Sequence, residues 1–84
     1  MDRAELIERL KKARKSSNAL DLDTDIALFE PDQYHVSVRK NDAQSKLIFT
    51  RHDGKEETFW ARDWSLNKDT RRRAVALLKV EPTP

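Results

Sequence analysis

The stretch that decides the fold is Tyr34–Trp64, YHVSVRKNDAQSKLIFTRHDGKEETFWARDW, which carries most of the large apolar side chains of the chain. It reads as three antiparallel strands. Asp53-Gly54 lies between β-prone runs, and both residue types tolerate positive φ, so a tight hairpin is predicted there. With Asp53 and Gly54 as a two-residue loop, His52 faces Lys55, Arg51 faces Glu56 as an opposite-charge pair, Phe49 faces Thr58 and Leu47 faces Trp60. The earlier connection, Asn41 to Gln44, is polar. As a four-residue loop it sets Val38 opposite Leu47 and Val36 opposite Phe49. One face then carries Tyr34, Val36, Val38, Leu47, Phe49 and Trp60 and is the expected core side, because a one-residue slip scatters this set across both faces. The other face carries His35, Ser37, Arg39, Ile48, Thr50, Phe59 and Ala61, and solvent accounts for only its polar half.

Outward from the strands, the chain reads as helices that cover them. Between Asp2 and Lys15 the apolar residues Leu6, Ile7, Leu10 and Ala13 recur at helical spacing. Asp2, Glu5 and Glu8 sit at the positive end of this helix, and Lys11, Lys12, Arg14 and Lys15 at the negative end. Ser16, Ser17 and Asn18 supply stop and cap chemistry. Residues 19–29, ALDLDTDIALF, are expected to form a short second helix with Leu22, Ile26 and Phe29 inward, although the alternation of Asp with apolar residues also admits a strand. Pro31 ends that segment and favours extended geometry before it. After the third strand, Ser65 or Asn67 can cap a final helix from Lys68 to about Val80, with Ala74, Leu77 and Leu78 as its apolar stripe and Val75 beside it. The predicted class is α+β: a three-stranded antiparallel sheet packed by an N-terminal helix, a short second helix and a C-terminal helix.

Eighty-four residues suit one domain with a modest core, expected over residues 1–80, with 81–84 (Glu-Pro-Thr-Pro) as a disordered tail. Charged residues make up 38% and hydrophobic ones 37%, which is polar but richer in apolar side chains than a disordered chain. The absence of cysteine excludes a disulfide framework and a thiolate metal site. No apolar run reaches membrane-spanning length and the first residues lack the apolar segment of a signal peptide, so a cytoplasmic protein that does not enter a membrane is expected. The net charge of +2 calls for no polyanion partner by itself; only clustering of the charge matters.

The run Leu6-Ile7-Glu8-Arg9-Leu10-Lys11-Lys12-Ala13, the polar break, and Leu22-Asp23-Thr24-Asp25-Ile26-Ala27-Leu28 together resemble the opening of small phage and prophage proteins of the ABA-sandwich type. Arg73-Ala74-Val75-Ala76-Leu77-Leu78-Lys79 is similar to their closing helix. Phe29-Glu30-Pro31 stands where those proteins usually have a glycine. The resemblance implies helices on both faces of the sheet, covering Ile48 and Phe59, and a phage accessory role.

Nothing in the chain points to catalysis, so no catalytic, cofactor or metal residues are assigned and a non-enzymatic role is expected. Asp21, Asp23 and Asp25 repeat the start of a calcium loop, but Ile26 occupies the position that needs glycine and Asp32 the position that needs a bidentate Glu. They read as a polar helix face. His35 and His52 stand without carboxylate and hydroxyl partners at helical spacing and read as solvated. Glu56 and Glu57 point to opposite faces of a strand and read as solubilising charges, not as an acid and base pair. A single glycine, Gly54, rules out a glycine-rich phosphate loop.

What remains is clustered charge and exposed aromatic surface. Lys11, Lys12, Arg14 and Lys15 close the first helix, and Lys68, Arg71, Arg72 and Arg73 open the last, where cations oppose the helix dipole and invite an anionic partner. The helix, three strands, helix order and the placement of Lys68 to Arg73 are similar to those of the double-stranded RNA-binding domain. Trp64 either caps the core or anchors an interface; if exposed, it forms an apolar patch with Ile48 and Phe59. The leading expectation is a binding protein of phage type that modulates or inhibits a host or phage macromolecular complex, such as a defence nuclease. The alternatives are a nucleic-acid-binding module and self-association through Ile48, Phe59 or Trp64.

Overall fold

The computed structural model describes residues 2–80. The expected tail at 81–84 lies outside the described residues. Helix α1 is Arg3–Lys12 and is capped by Asp2, whose side chain accepts from the Glu5 amide at 2.8 Å. Leu6 and Leu10, one turn apart, are its buried pair. The helix stops short of the predicted Lys15 because Ala13 is extended, and the chain then delivers Ser17 as the cap of α2, Asn18–Leu28. The ambiguous acidic segment is therefore helical. Its buried residues are Leu20, Asp21, Leu22 and Thr24, while Ile26 and Phe29, expected inward, are only half-buried. Helix α3, Lys68–Lys79, opens with a reciprocal cap in which Asn67 and Thr70 each accept from the other's backbone amide.

The strands are β1 (His35–Lys40), β2 (Leu47–Arg51) and β3 (Glu56–Phe59), antiparallel and in that order across the sheet. Their register differs from the predicted one at both turns. In the second hairpin, Arg51 N–H donates to Lys55 O at 2.8 Å and Gly54 N–H donates to Arg51 O at 3.0 Å. The loop is thus His52-Asp53-Gly54, with Gly54 at φ 87° as the left-handed residue of a three-residue turn. One extra loop residue shifts every pair: Thr50 faces Glu56, Phe49 faces Glu57, Ile48 faces Thr58 and Leu47 faces Phe59. The expected Arg51 to Glu56 pair does not form; Glu56 pairs with Arg39, and Arg51 with Asp53 at 3.4 Å. The first turn keeps four residues but lies one position later than expected, at 42–45: Asn41 N–H donates to Lys46 O at 3.0 Å, the Asn41 carboxamide accepts from the Ser45 and Lys46 amides, and Lys40 pairs with Leu47. Val38 consequently faces Phe49, not Leu47.

The one-residue shift of β3 and a register irregularity between His35 and Ser37 re-sort the faces, whereas the two-residue shift at the first turn does not. Leu47, Phe49, Val38, Phe59 and His35 share the face towards α2, the His35 ring lying 5.2 Å from that of Phe49. Tyr34, Val36 and Trp60, expected in the core, are exposed. The opposite face, with Ser37, Arg39, Ile48, Thr50, Glu56 and Thr58, contains no buried residue, so the second helical layer implied by a sandwich does not cover it.

The core is built by the helices. Leu6 and Leu10 of α1, Leu20 of α2, and Ala74 and Leu78 of α3 enclose Trp64, with Ile7, Ala13, Ala27, Leu28 and Val75 packed around them. Leu77, assigned to the inward stripe of α3, is exposed. α1 and α3 run antiparallel: Arg3 donates to the carbonyls of Leu78 and Val80 at one end, and Lys11 to Arg14 meet Lys68 and Arg71 at the other. The sheet lies outside this bundle, and its one fully buried residue among those described is Leu47.

The hairpin makes a direct prediction. A Cβ at position 54 meets no atom within 4 Å, so Gly54→Ala is penalised through backbone conformation alone. The cost expected in urea unfolding is about 1 kcal/mol, and Gly54→Asn, which adopts positive φ more readily, should lose clearly less. Equal losses would show that the turn does not require left-handed backbone.

Candidate functional site

The three aspartates of α2 are the structural hub of the molecule. Asp21 and Asp25 are one turn apart and share a face. The Asp21 carboxylate, buried, accepts from the Ser65 amide at 2.7 Å. Asp25 accepts from the Arg62 amide at 2.8 Å through Oδ2 and from the Trp64 indole Nε1 at 2.7 Å through Oδ1. Ser65 Oγ in turn accepts from the Ser17 amide and donates to the Ser17 carbonyl. Asp23 points the other way, to Arg9 at 2.8 Å and Lys40 at 2.7 Å, joining α1, α2 and β1. Partial burial pushes the Asp23 carboxyl up, but the hydrogen bonds and charges of Lys40 and Arg9 outweigh this and leave it below its ordinary 3.8. The residues read as a solvated face therefore stitch the fold together, and among the described residues no acidic and histidine cluster could hold a metal ion.

The histidines are also engaged. His35 Nε2 lies 2.8 Å from Glu57 Oε1, and His52 Nε2 lies 2.7 Å from the Asp32 carbonyl. Asp32 accepts from the Tyr34 and His35 amides, and these bonds hold its carboxyl below the ordinary value. His35 and Glu57, read as solvated, are instead half-buried and paired with each other, while His52 is exposed as expected.

Two surfaces have the form of binding sites. The first is an open groove between the α2-facing side of the sheet and the C-terminal ends of α2 and α3. Phe29, Phe49 and Phe59 form its floor, with ring centroids 6.0 and 5.8 Å apart along the row. Leu28, Leu77 and Val80 form a wall, and Arg3, Glu30 and Arg62 stand at the rim. Arg3 is committed to the structure, bridging the carbonyls of Ala27, Leu78 and Val80. Phe59 is 49% exposed and Trp60 67% exposed, with Lys46 Nζ 4.7 Å from the Trp60 ring centroid. This aromatic site was mislocated by the two-residue turn assignment; the glycine that closes the longer loop was the available signal.

The second surface is a basic concavity lined by Lys11, Lys12, Ala13, Arg14, Lys68 and Arg71. It unites the two clusters that lie far apart in sequence. Lys15, Arg72 and Arg73 are exposed but do not line it. Trp64 belongs to neither surface as an anchor: at 8% exposure, with its indole bonded to Asp25, it is a core residue. Comparison with known protein families, with curated proteins and with solved structures finds no match.

Two outcomes follow for the hub. Asp25→Ala leaves the Trp64 N–H and the Arg62 amide without their acceptor and should cost about 2 kcal/mol, with red-shifted Trp64 emission in a Trp60→Phe background; Asp25→Asn, which keeps an acceptor oxygen, should lose less. Asp23→Asn should lose about 1 kcal/mol at pH 7, a value discounted because its partners are partly exposed. The parent's advantage is present above about pH 4 and vanishes as pH falls through the lowered carboxyl pKa, where both chains become uncharged at this position. Urea melts at pH 7 and pH 3 measure this, and an unchanged gap at pH 3 would exclude the ion pair as its source.

Proposed function

We propose that this chain is a non-catalytic binding module of phage type that docks a partner protein in the aromatic groove and thereby modulates a host or phage macromolecular complex. The observation that carries this reading is the groove itself. Phe59, Trp60, Leu77 and Val80 are all exposed at or around one open concavity, although the same chain buries smaller aliphatic residues completely. Exposed Trp beside a concave apolar floor is the composition of an interface anchor. Charge around the groove is mixed: Arg62 pairs with no described acid through its side chain and Lys46 lies over Trp60, while Glu30 and Asp32 also line the groove. The apolar floor and the exposed Trp60 are therefore what a partner's apolar anchor complements. Inhibition of a defence nuclease is one concrete form of this role, and its phage setting rests on the resemblance of the helical segments.

Selection of a random peptide library against the immobilised chain tests the groove directly. Peptides with aromatic or large aliphatic anchors should emerge, and Trp60→Ala should weaken them at least tenfold while costing less than about 1 kcal/mol of stability. Trp64→Ala, by contrast, should cost about 3–5 kcal/mol. Failure to select, or binding indifferent to Trp60→Ala, overturns the reading. Concentration-dependent sedimentation abolished by Trp60→Ala would make the groove a contact between copies of this chain.

A further inference from the structure

The basic concavity lies at the opposite end of the α1 and α3 pair from the groove, since Arg3 meets Leu78 and Val80 at one end while Lys11 to Arg14 meet Lys68 and Arg71 at the other. We propose that it is a second, independent site that takes the phosphate backbone of double-stranded nucleic acid. Five cationic side chains, from α1, the segment just after it and α3, converge on one hollow, and no carboxylate lines it. Two acids lie near it: Glu8 reaches Lys12 only at 3.8 Å, with both side chains largely exposed, and Asp69, in the first turn of α3 beside Lys68, does not line the hollow. Lys11, Arg14 and Lys68 form no ion pair among the described residues. Arg71 uses one guanidinium nitrogen on the Ser65 carbonyl at 2.9 Å, which fixes the side chain while leaving further N–H groups to donate. Lys15, Arg72 and Arg73, exposed close by in sequence, enlarge the same positive field.

Holding these charges together is unfavourable unless an anion enters, and the positive end of the α3 dipole adds to the same potential. The chemistry of the lining separates the polyanions. It contains no aromatic residue, so there is no platform on which unpaired bases could stack, and single strands gain nothing here beyond charge. Lys and Arg tips in a shallow hollow suit phosphates on the outside of a duplex, giving binding with little dependence on base sequence.

Fluorescence anisotropy with a labelled 20-base-pair DNA duplex, the corresponding RNA duplex and one single strand tests the proposal. The parent, Lys11→Ala/Arg14→Ala/Lys68→Ala and Trp60→Ala should be compared from about 50 to 300 mM salt, with circular dichroism confirming that each is folded. Duplex binding should fall with salt at a log–log slope of about −3 to −4, as expected for roughly four neutralised phosphates. The triple variant should bind at least tenfold more weakly, and Trp60→Ala should bind like the parent. The DNA and RNA arms show which duplex carries the backbone recognised. No binding at 50 mM salt, a flat salt dependence, or indifference to the triple variant overturns the site. Tighter binding of the single strand, or equal binding of polyglutamate, overturns the duplex assignment. Because Trp60 and the basic residues lie on separate surfaces, failure here leaves the groove reading untouched, and the converse also holds.

Discussion

The fold depends on the hydrogen bonds that Asp21 and Asp25 extend from α2 to the segment joining β3 to α3. That segment has no regular structure of its own, so its amides need acceptors from elsewhere. Asp21 receives the Ser65 amide, and Asp25 receives both the Arg62 amide and the Trp64 indole. The bond to the Trp64 indole permits the largest side chain of the core to be buried, because a tryptophan N–H without an acceptor would offset part of the gain from burying its rings. With Trp64 seated, Leu6, Leu10, Leu20, Ala74 and Leu78 have a common surface to pack on.

That arrangement displaces the sheet from the centre of the molecule. Helix α2 is the element shared by both halves: its Leu20 enters the helical core, while Asp23 reaches Lys40 of β1 and Phe29, just beyond its end, meets Phe49 of β2. Towards the C-terminal ends of α2 and α3 the two layers part. Phe59 and Trp60 are left facing water there, and the groove exists because the helical core is satisfied without them. A small domain has little apolar area to spare for stability, so leaving a tryptophan at 67% exposure forgoes burial that the fold would otherwise gain.

The antiparallel pairing of α1 with α3 also separates the two candidate surfaces. It sends Leu77 and Val80, with Arg3, to the groove and Lys11, Lys12, Lys68 and Arg71 to the concavity, so that one helix pair presents two chemically distinct sites. Each site is assembled from residues that local sequence cannot connect, since Lys11 to Arg14 and Lys68 to Arg71 are more than fifty positions apart.

Local chemistry alone was sufficient for the elements. Leu6 and Leu10 at helical spacing, Asn67 as a cap, Pro31 as a stop and the hairpin at Asp53-Gly54, though with one more loop residue, each act within a few residues and are found where local chemistry places them. The class, α+β with three antiparallel strands between helices, was legible for that reason, as were the two basic clusters. Which residues face inward was not. A single additional loop residue at His52 and an irregularity near Val36 re-sort the strand faces, because side chains alternate with a period of two. Trp60, expected in the core, is exposed on this account, while Trp64, open between core and interface, is buried. The roles of Asp21, Asp23 and Asp25 were equally hidden, since on α2 alone they are indistinguishable from a solvated face. Only the return of residues 62–65 and the approach of Arg9 and Lys40 supply the donors that make them structural, and only the packing of α1 on α3 gathers the separate cations into one site.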